Sequence, residues 1–168
     1  MALGLLDAVQ AAPLRERAEL SFFASGMPAP QGSKRAFRNS HTGRIQQVES
    51  SKKLPGWRSD VRDAVENAMA GREPFVAGAL EVWLRFVFQR PAAHMSARGG
   101  LKPSAPAAMA TGADVDKLAR SVMDVLTGRA FTDDRQVASL HAEKVYGDRP
   151  GVHIVVRPLP PDDRRAQP

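Results

Sequence analysis

Residues 112–137 read G-A-D-V-D-K-L-A-R-S-V-M-D-V-L-T-G-R-A-F-T-D-D-R-Q-V, and this stretch decides how the chain is read. Asp114 and Asp116 stand just ahead of Leu118, Val122, Val125 and Leu126, whose spacing of three or four places them on one helical face. Thr127-Gly128 is the expected end of that helix, because glycine supplies the left-handed geometry of a C-cap. A second acidic pair, Asp133-Asp134, precedes the apolar run that starts at Val137. A helix folded back on a sheet is expected to bring the two pairs together. Carboxylates ionised side by side are costly, and a divalent cation removes that cost, since carboxylate oxygens are hard ligands that magnesium and manganese prefer. The residues leave a plainer alternative open. Asp114 or Asp116 can cap the helix, and Asp133-Asp134 can be a solvated turn. Capping needs one aspartate, however, and leaves the other unexplained.

The rest of the composition sets limits around this stretch. A length of 168 residues fits one domain with flexible ends. The absence of cysteine excludes a disulfide framework and a thiolate zinc site. No apolar run approaches the ~20 residues that span a bilayer, and the Ala2–Leu6 run lacks the basic residues that open a signal peptide. No membrane partner is therefore expected. The formal net charge of +6 favours a polyanionic partner.

Taken in order, residues 1–16 read as a leader, with Leu3, Leu5, Leu6 and Val9 ahead of Pro13. Leu20, Phe22 and Phe23 predict a first strand, stopped by Gly26, Pro28, Pro30 and Gly32. Lys34, Arg35, Arg38 and Arg44 then form a basic loop interleaved with Phe37 and His41. Such a loop suits a phosphate chain, with Phe37 either stacking on a base or packing beneath the loop. Lys52, Lys53 and Arg58 carry the basic tract into a helix running from Leu54 or Trp57 to Met69, whose buried stripe is Trp57, Val61, Ala64, Val65 and Ala68. Leu80–Phe88 alternates as a strand with one core face and one half-apolar face that a helix or a second subunit is free to cover. Residues 90–113, rich in Ala, Pro, Gly and Ser, read as a long mobile loop, either a flap over a polyanion or a spacer. Gln136–Tyr146 and Val152–Val156 flank the turn residues 147–151 and predict a hairpin. Residues 159–168 read as a proline-rich tail.

This order predicts a small α/β domain over residues 17–158, with a mixed or mostly antiparallel sheet and helices on one face. No dinucleotide or P-loop glycine pattern, no H-E-x-x-H and no G-x-S-x-G is present. Covalent catalysis is not expected.

The run D-V-D-K-L-A-R-S-V-M-D-V-L-T-G followed by F-T-D-D-R-Q-V closely resembles the RusA family of Holliday junction resolvases. The resemblance extends to G-M-P-A-P-Q-G-S-K-R-A-F, to the basic W-R helix and to the Lys144 strand, over roughly residues 18 to 158. It implies a RusA-like fold and a homodimeric, magnesium-dependent endonuclease, with manganese as a substitute, that cuts four-way DNA junctions symmetrically. It further implies a phage or prophage protein working in the bacterial host cytoplasm. Carried over by position, Asp114, Asp116 and Asp134 are the implied metal-holding and catalytic carboxylates. Arg120 falls where the enterobacterial archetype has a catalytically important lysine, and Lys117 where it has asparagine. The loop before Asp133 is one residue shorter than the archetype's. Arginine keeps the charge but is no proton donor at neutral pH. Arg120 is therefore expected to stabilise charge on the phosphoryl group, or else to bridge Asp124 one turn on.

The implied DNA contacts are Lys34, Arg35, Arg38, Arg44, Lys52, Lys53, Lys117 and Lys144. Three alternatives stand beside this reading. They are a nuclease for forks or flaps, a catalytically weak protein that binds branched DNA, and an RNA-processing nuclease.

Overall fold

The computed structural model describes residues 19–32, 34–38, 45–49 and 52–159, with 34–38 and 45–49 described as backbone. The predicted leader, Arg44 and most of the tail lie outside the described residues. The chain forms β1 (Leu20–Ser25), β2 (Lys34–Arg38), β3 (Ile45–Glu49), α1 (Leu54–Ala68), β4 (Leu80–Phe88), α2 (Val115–Leu126), β5 (Val137–Tyr146) and β6 (Gly151–Pro158). Short 3-10 turns occupy Ala92–His94 and Asp134–Gln136. The main sheet has the order β1-β6-β4-β5. Its pairs are antiparallel except for β4 with β5, which run parallel. The sheet is therefore mixed, with both helices on one face, as the alternation of helical and strand periodicity predicts.

Burial explains the layers. Leu80, Val82, Leu84 and Phe86 of β4 are fully buried beneath the helices. Leu54, Trp57, Val61 and Val65 of α1 and Leu118, Val122, Val125 and Leu126 of α2 meet them. Pro55 in the first turn of α1 is tolerated because the amides there have no intrahelical partner. Between the helices, Trp57 Nε1 donates to Ser121 Oγ at 3.2 Å, and Ser121 Oγ donates to the Leu118 carbonyl at 2.7 Å. Ser121, a polar side chain inside the core, is thus satisfied. Arg58 pairs with Asp124, and Arg129 pairs with Glu66. These contacts run in step along both helices, so α1 and α2 lie side by side in the same direction.

Three sequence expectations change. The basic segment from Lys34 to Arg44 is not simply a loop: Lys34–Arg38 pairs antiparallel with Ile45–Glu49 as a separate two-stranded ribbon. The expected hairpin of the last two strands does not form, because β4 lies between them. β4 has a fully buried face towards the helices and, on its other face, a buried Val87, and it takes one of the two positions paired on both sides, next to β6. The connection 147–150 crosses its end, where the Gly147 amide donates to the Phe88 carbonyl at 2.9 Å. The sequence suggests that along β5 Val137, Ser139, His141, Glu143 and Val145 share one side and Ala138, Leu140, Ala142, Lys144 and Tyr146 the other, and this alternation also breaks. Its register against β4 slips between Leu80 and Glu81, so Ala138 is passed over and Val137 faces the core.

Residues 90–113 make a folded excursion. Arg90 donates to the Pro106 carbonyl and lies over the Tyr146 ring, and Lys102 donates to the carbonyl of Ala93. The outer face of the sheet carries Trp83 stacked on His141 at 3.9 Å, with Glu81 bound to both Arg157 and His141. The Arg157 guanidinium bonded to Glu81 holds that carboxyl below its ordinary range. Among the described residues no helix is long and apolar enough to cross a membrane.

Two glycines separate backbone strain from steric exclusion. Gly128, just past α2, has φ 78°, and a Cβ there would meet nothing within 4 Å. Gly128→Ala should therefore cost only the left-handed penalty of about 1–2 kcal/mol. Gly151 has φ 156°, and a Cβ there would collide with the Ala24 carbonyl and the Phe23 ring. Gly151→Ala should cost distinctly more, by disrupting the β1–β6 ladder. Urea unfolding of the two variants checks the order.

Candidate active site

The β4–α2–β5 unit carries the acidic residues. Asp114 occupies the N-cap position of α2, and Asp116 sits in the first turn. Asp114 does not cap: its side chain makes no bond to the helix amides. Its carboxylate instead meets Lys117 Nζ at 2.8 Å. That hydrogen bond, then the Lys117 charge and more distantly Lys144, holds the Asp114 carboxyl below the usual range, while the same partner pushes Lys117 up. Asp116 is exposed and makes no hydrogen bond or ion pair among the described residues, although its charge acts on Lys117.

Lys144 has a different place from the one its charge implied. Its ammonium donates to the carbonyls of Ala113 at 2.8 Å and Thr111 at 3.2 Å. It ties the approach to Asp114 down to β5, a role invisible in sequence because both acceptors are main-chain atoms. A second tie is equally silent. The Gln31 amide donates to the Lys117 carbonyl at 3.0 Å. This joins the Gly26–Gly32 turn to the first turn of α2, just before the basic ribbon of Lys34, Arg35 and Arg38 begins. Because α1 and α2 run in the same direction, exposed Lys52 and Lys53 at the start of α1 share this end of the fold. The positive ends of two helix dipoles add to it. The site therefore lies at the carboxyl end of parallel strands, where open α/β sheets expose their loops.

Arg120 projects from the exposed side of α2. The alternative bridge to Asp124 does not form, because Arg58 Nη2 holds Asp124 Oδ2 at 2.6 Å. Arg120 makes no ion pair among the described residues.

The second acidic pair divides its labour. Asp133 opens the 3-10 turn with a capping box: it accepts from the Arg135 amide, and the Gln136 side chain accepts from the Asp133 amide. The Arg135 guanidinium grips its carboxylate, with a shortest contact of 2.6 Å. The guanidinium bonds, followed by the amide bond, hold Asp133 far below the carboxylate range. The solvated-turn reading thus holds for Asp133. Asp134 is left exposed beside it, with no ion pair of its own among the described residues.

The two acidic pairs do not meet within the chain. Asp114 is anchored beside Lys144, near the far end of β5, whereas Asp133 and Asp134 precede Val137 at its start. The strand between those points spans roughly 23 Å. Among the described residues no three His, Asp or Glu side chains gather to hold a metal ion. The sequence expectation of a cluster ignored that a helix returning between two parallel strands has its ends at opposite ends of the sheet.

The Asp133 contacts generate a prediction. Asp133→Asn should lower thermal stability at neutral pH, whereas Asp134→Asn should stay within about 0.5 kcal/mol of the parent. Because the folded pKa of Asp133 is depressed, its stabilisation is complete above the unfolded value near ~3.9 and is lost as pH falls through the lower folded value. The gap between parent and Asp133→Asn should therefore close only in acid, as thermal unfolding across that range would show.

No curated protein matches the chain. A sequence family does: residues 26–157, most of the chain and the whole of the α2–β5 unit, match the family described as Endodeoxyribonuclease RusA. That span includes the uncapped Asp114, the unpartnered Asp116, Asp134, Arg120 and the basic ribbon. The chain belongs to the RusA family, whose members are structure-specific endodeoxyribonucleases acting on branched DNA such as Holliday junctions.

Proposed function

We propose that this nuclease works as a magnesium-dependent homodimer that resolves four-way DNA junctions by paired symmetric cuts, each site taking Asp114 and Asp116 from one copy and Asp134 from the other. The observation that carries the reading is the separation of two exposed acidic groups to opposite ends of α2 and β5. Each group is incomplete alone, and a two-fold axis supplies the missing half to both sites at once.

The donor set suits the cation. Carboxylate oxygens are hard ligands, and magnesium keeps several waters, so two or three carboxylates suffice. When bound, the cation supplies charge neutralisation at the phosphoryl oxygens and lowers the pKa of water. The remaining work belongs to the chain. Asp116 offers an oxygen pair that makes no hydrogen bond or ion pair among the described residues. Lys117 holds the Asp114 carboxyl below its ordinary range, so it stays ionised further into acid. Arg58 occupies Asp124, and Arg120 is the cation we assign to the charge that builds on the phosphoryl oxygens. An arginine side chain is no proton donor at neutral pH, so the leaving oxygen takes its proton from solvent. Lys34, Arg35, Arg38, Arg44, Lys52 and Lys53 neutralise backbone phosphates and set the register of the junction arms.

The direct test is incubation of an immobile four-way junction with magnesium, beside linear duplex and fork controls, with both nicks mapped. A trans site also predicts complementation. Asp116→Asn and Asp134→Asn should each be inactive alone. Mixed under subunit exchange, they should regain single-strand nicking, because each heterodimer has one site with all three aspartates and one lacking two. Sites built within single chains would regain nothing on mixing.

Lys117 gives a further prediction. Its ammonium occupies the carboxylate that the cation needs, so Lys117→Asn should tighten magnesium binding at neutral pH by several-fold. It should also let Asp114 titrate at a higher pH, so magnesium affinity should fall off earlier on acidification than in the parent. Calorimetric magnesium titrations over a pH series check both limbs.

A further inference from the structure

Resting on the junction substrate proposed above, we infer that Met95 and Leu101, at the tip of the excursion between β4 and α2, form an apolar wedge that inserts between bases at the branch point. Three observations lead there. First, the tip is a closed hairpin. Met95 and Leu101 pair as an isolated antiparallel bridge, which sets their side chains on one face with Cβ atoms roughly 5 Å apart. The Ser96 amide donates to the Gly100 carbonyl at 2.7 Å, and the Gly100 amide donates to Ser96 Oγ at 3.2 Å. Gly99 has φ 86°, a left-handed geometry that glycine adopts without penalty. Below the pair, the Lys102 amide donates to the His94 carbonyl at 2.9 Å. The two apolar side chains therefore have a braced backbone behind them.

Second, the tip has the chemistry of a base wedge. Leu101 is 56% exposed and Met95 39%, although side chains of this size gain most from burial. Two such groups held side by side in water mark a binding surface more strongly than either alone. Residues 90–113 contain no Asp or Glu. Arg90 and Lys102 tie the excursion together through its own carbonyls, and Arg98 stands exposed in the turn between the two apolar side chains. A cation beside apolar groups, with no carboxylate in the segment, suits DNA: the guanidinium meets a phosphate, and leucine and methionine are side chains that wedge into base steps. A continuous duplex has to be unstacked to admit them, whereas bases where arms meet part at lower cost.

Third, the hairpin is rooted beside the site. The Arg90 guanidinium lies over the Tyr146 ring at 4.1 Å, and His94 meets the same ring edge-on at 5.7 Å. Tyr146 lies two residues beyond Lys144 on β5, roughly 7 Å along the strand. Lys144 holds the carbonyl of Ala113, the residue before Asp114. Wedge and carboxylates thus hang from neighbouring positions of one strand, so a lodged wedge sets the distance from branch point to cut.

A four-way junction carrying 2-aminopurine at the branch point reports insertion as a rise in fluorescence, read without magnesium so that no strand is cut. The parent should give the rise. Met95→Ser combined with Leu101→Ser should abolish it and weaken junction binding at least about tenfold. Duplex affinity and its salt dependence should stay at parent values, because no charge is lost. The exchange of Met95→Leu with Leu101→Met keeps both apolar groups and should keep the rise. A double-serine variant with the parent's rise and junction preference would overturn the inference and leave the junction reading intact, and so would equal weakening on junction and duplex. A changed oligomeric state of that variant in sedimentation, with no rise from the parent, would make the pair a protein contact and also overturn it. A parent that gives the rise on a fork and ignores four-way junctions would count against the proposed substrate and not against the wedge.

Discussion

Parallel pairing of β4 with β5 is the constraint on which the site depends. Two parallel neighbours cannot be joined by a turn; the chain must cross back over the sheet. Here α2 makes that return, and its hydrophobic face is buried in doing so. The geometry delivers the start of the helix to the carboxyl end of the strands and its end to the amino end. Asp114 and Asp116 are thereby fixed at one pole and Asp133 and Asp134 at the other. No rotamer change can bridge a distance set by the length of a strand. A site that uses both acidic pairs therefore cannot close within one chain.

Electrostatics at the first pole show why such a site can exist without metal. Paired carboxylates repel each other and the DNA they must approach. The chain relieves that repulsion with its own cations. Lys117 sits on Asp114, Lys144 lies close enough to act on the same carboxyl, and the helix N-terminus favours negative charge. Of that pair, Asp116 is the one left without a partner among the described residues. Arg58 meanwhile removes Asp124 from competition for Arg120, although the two lie one helical turn apart. The free and occupied charges along α2 are thus sorted by α1, a second element that contributes no carboxylate to the site.

Much of this fold was legible in the residues. The spacing of Leu118, Val122, Val125 and Leu126 gave α2, Thr127-Gly128 gave its end, and the alternation of Leu80–Phe88 gave β4. What sequence could not give was the neighbour of each strand. The hairpin expected across residues 147–151 has the correct turn chemistry and the wrong partner, because turn chemistry is local and the choice of the central strand depends on burial on both faces. Lys144 was legible as a cation and not as a tether, since its acceptors are carbonyls that any residue carries. Asp133 and Asp134 are adjacent and identical in sequence. Only the Arg135 and Gln136 contacts make one a cap and leave the other exposed, and the D-D-R-Q spacing held that signal as a capping box.

An edge strand is normally a hazard, because its open hydrogen-bonding groups template pairing without limit. Among the described residues β5 is such an edge, paired only to β4. Under the homodimer proposed above, the half missing from each site is supplied by the same two-fold operation, so the two sites are equal by symmetry. For a substrate with four arms and two strands to cut, that equivalence matters more than the strength of either site. The strand that holds the two acidic groups apart within one chain is then the reason that assembly enters the proposed chemistry.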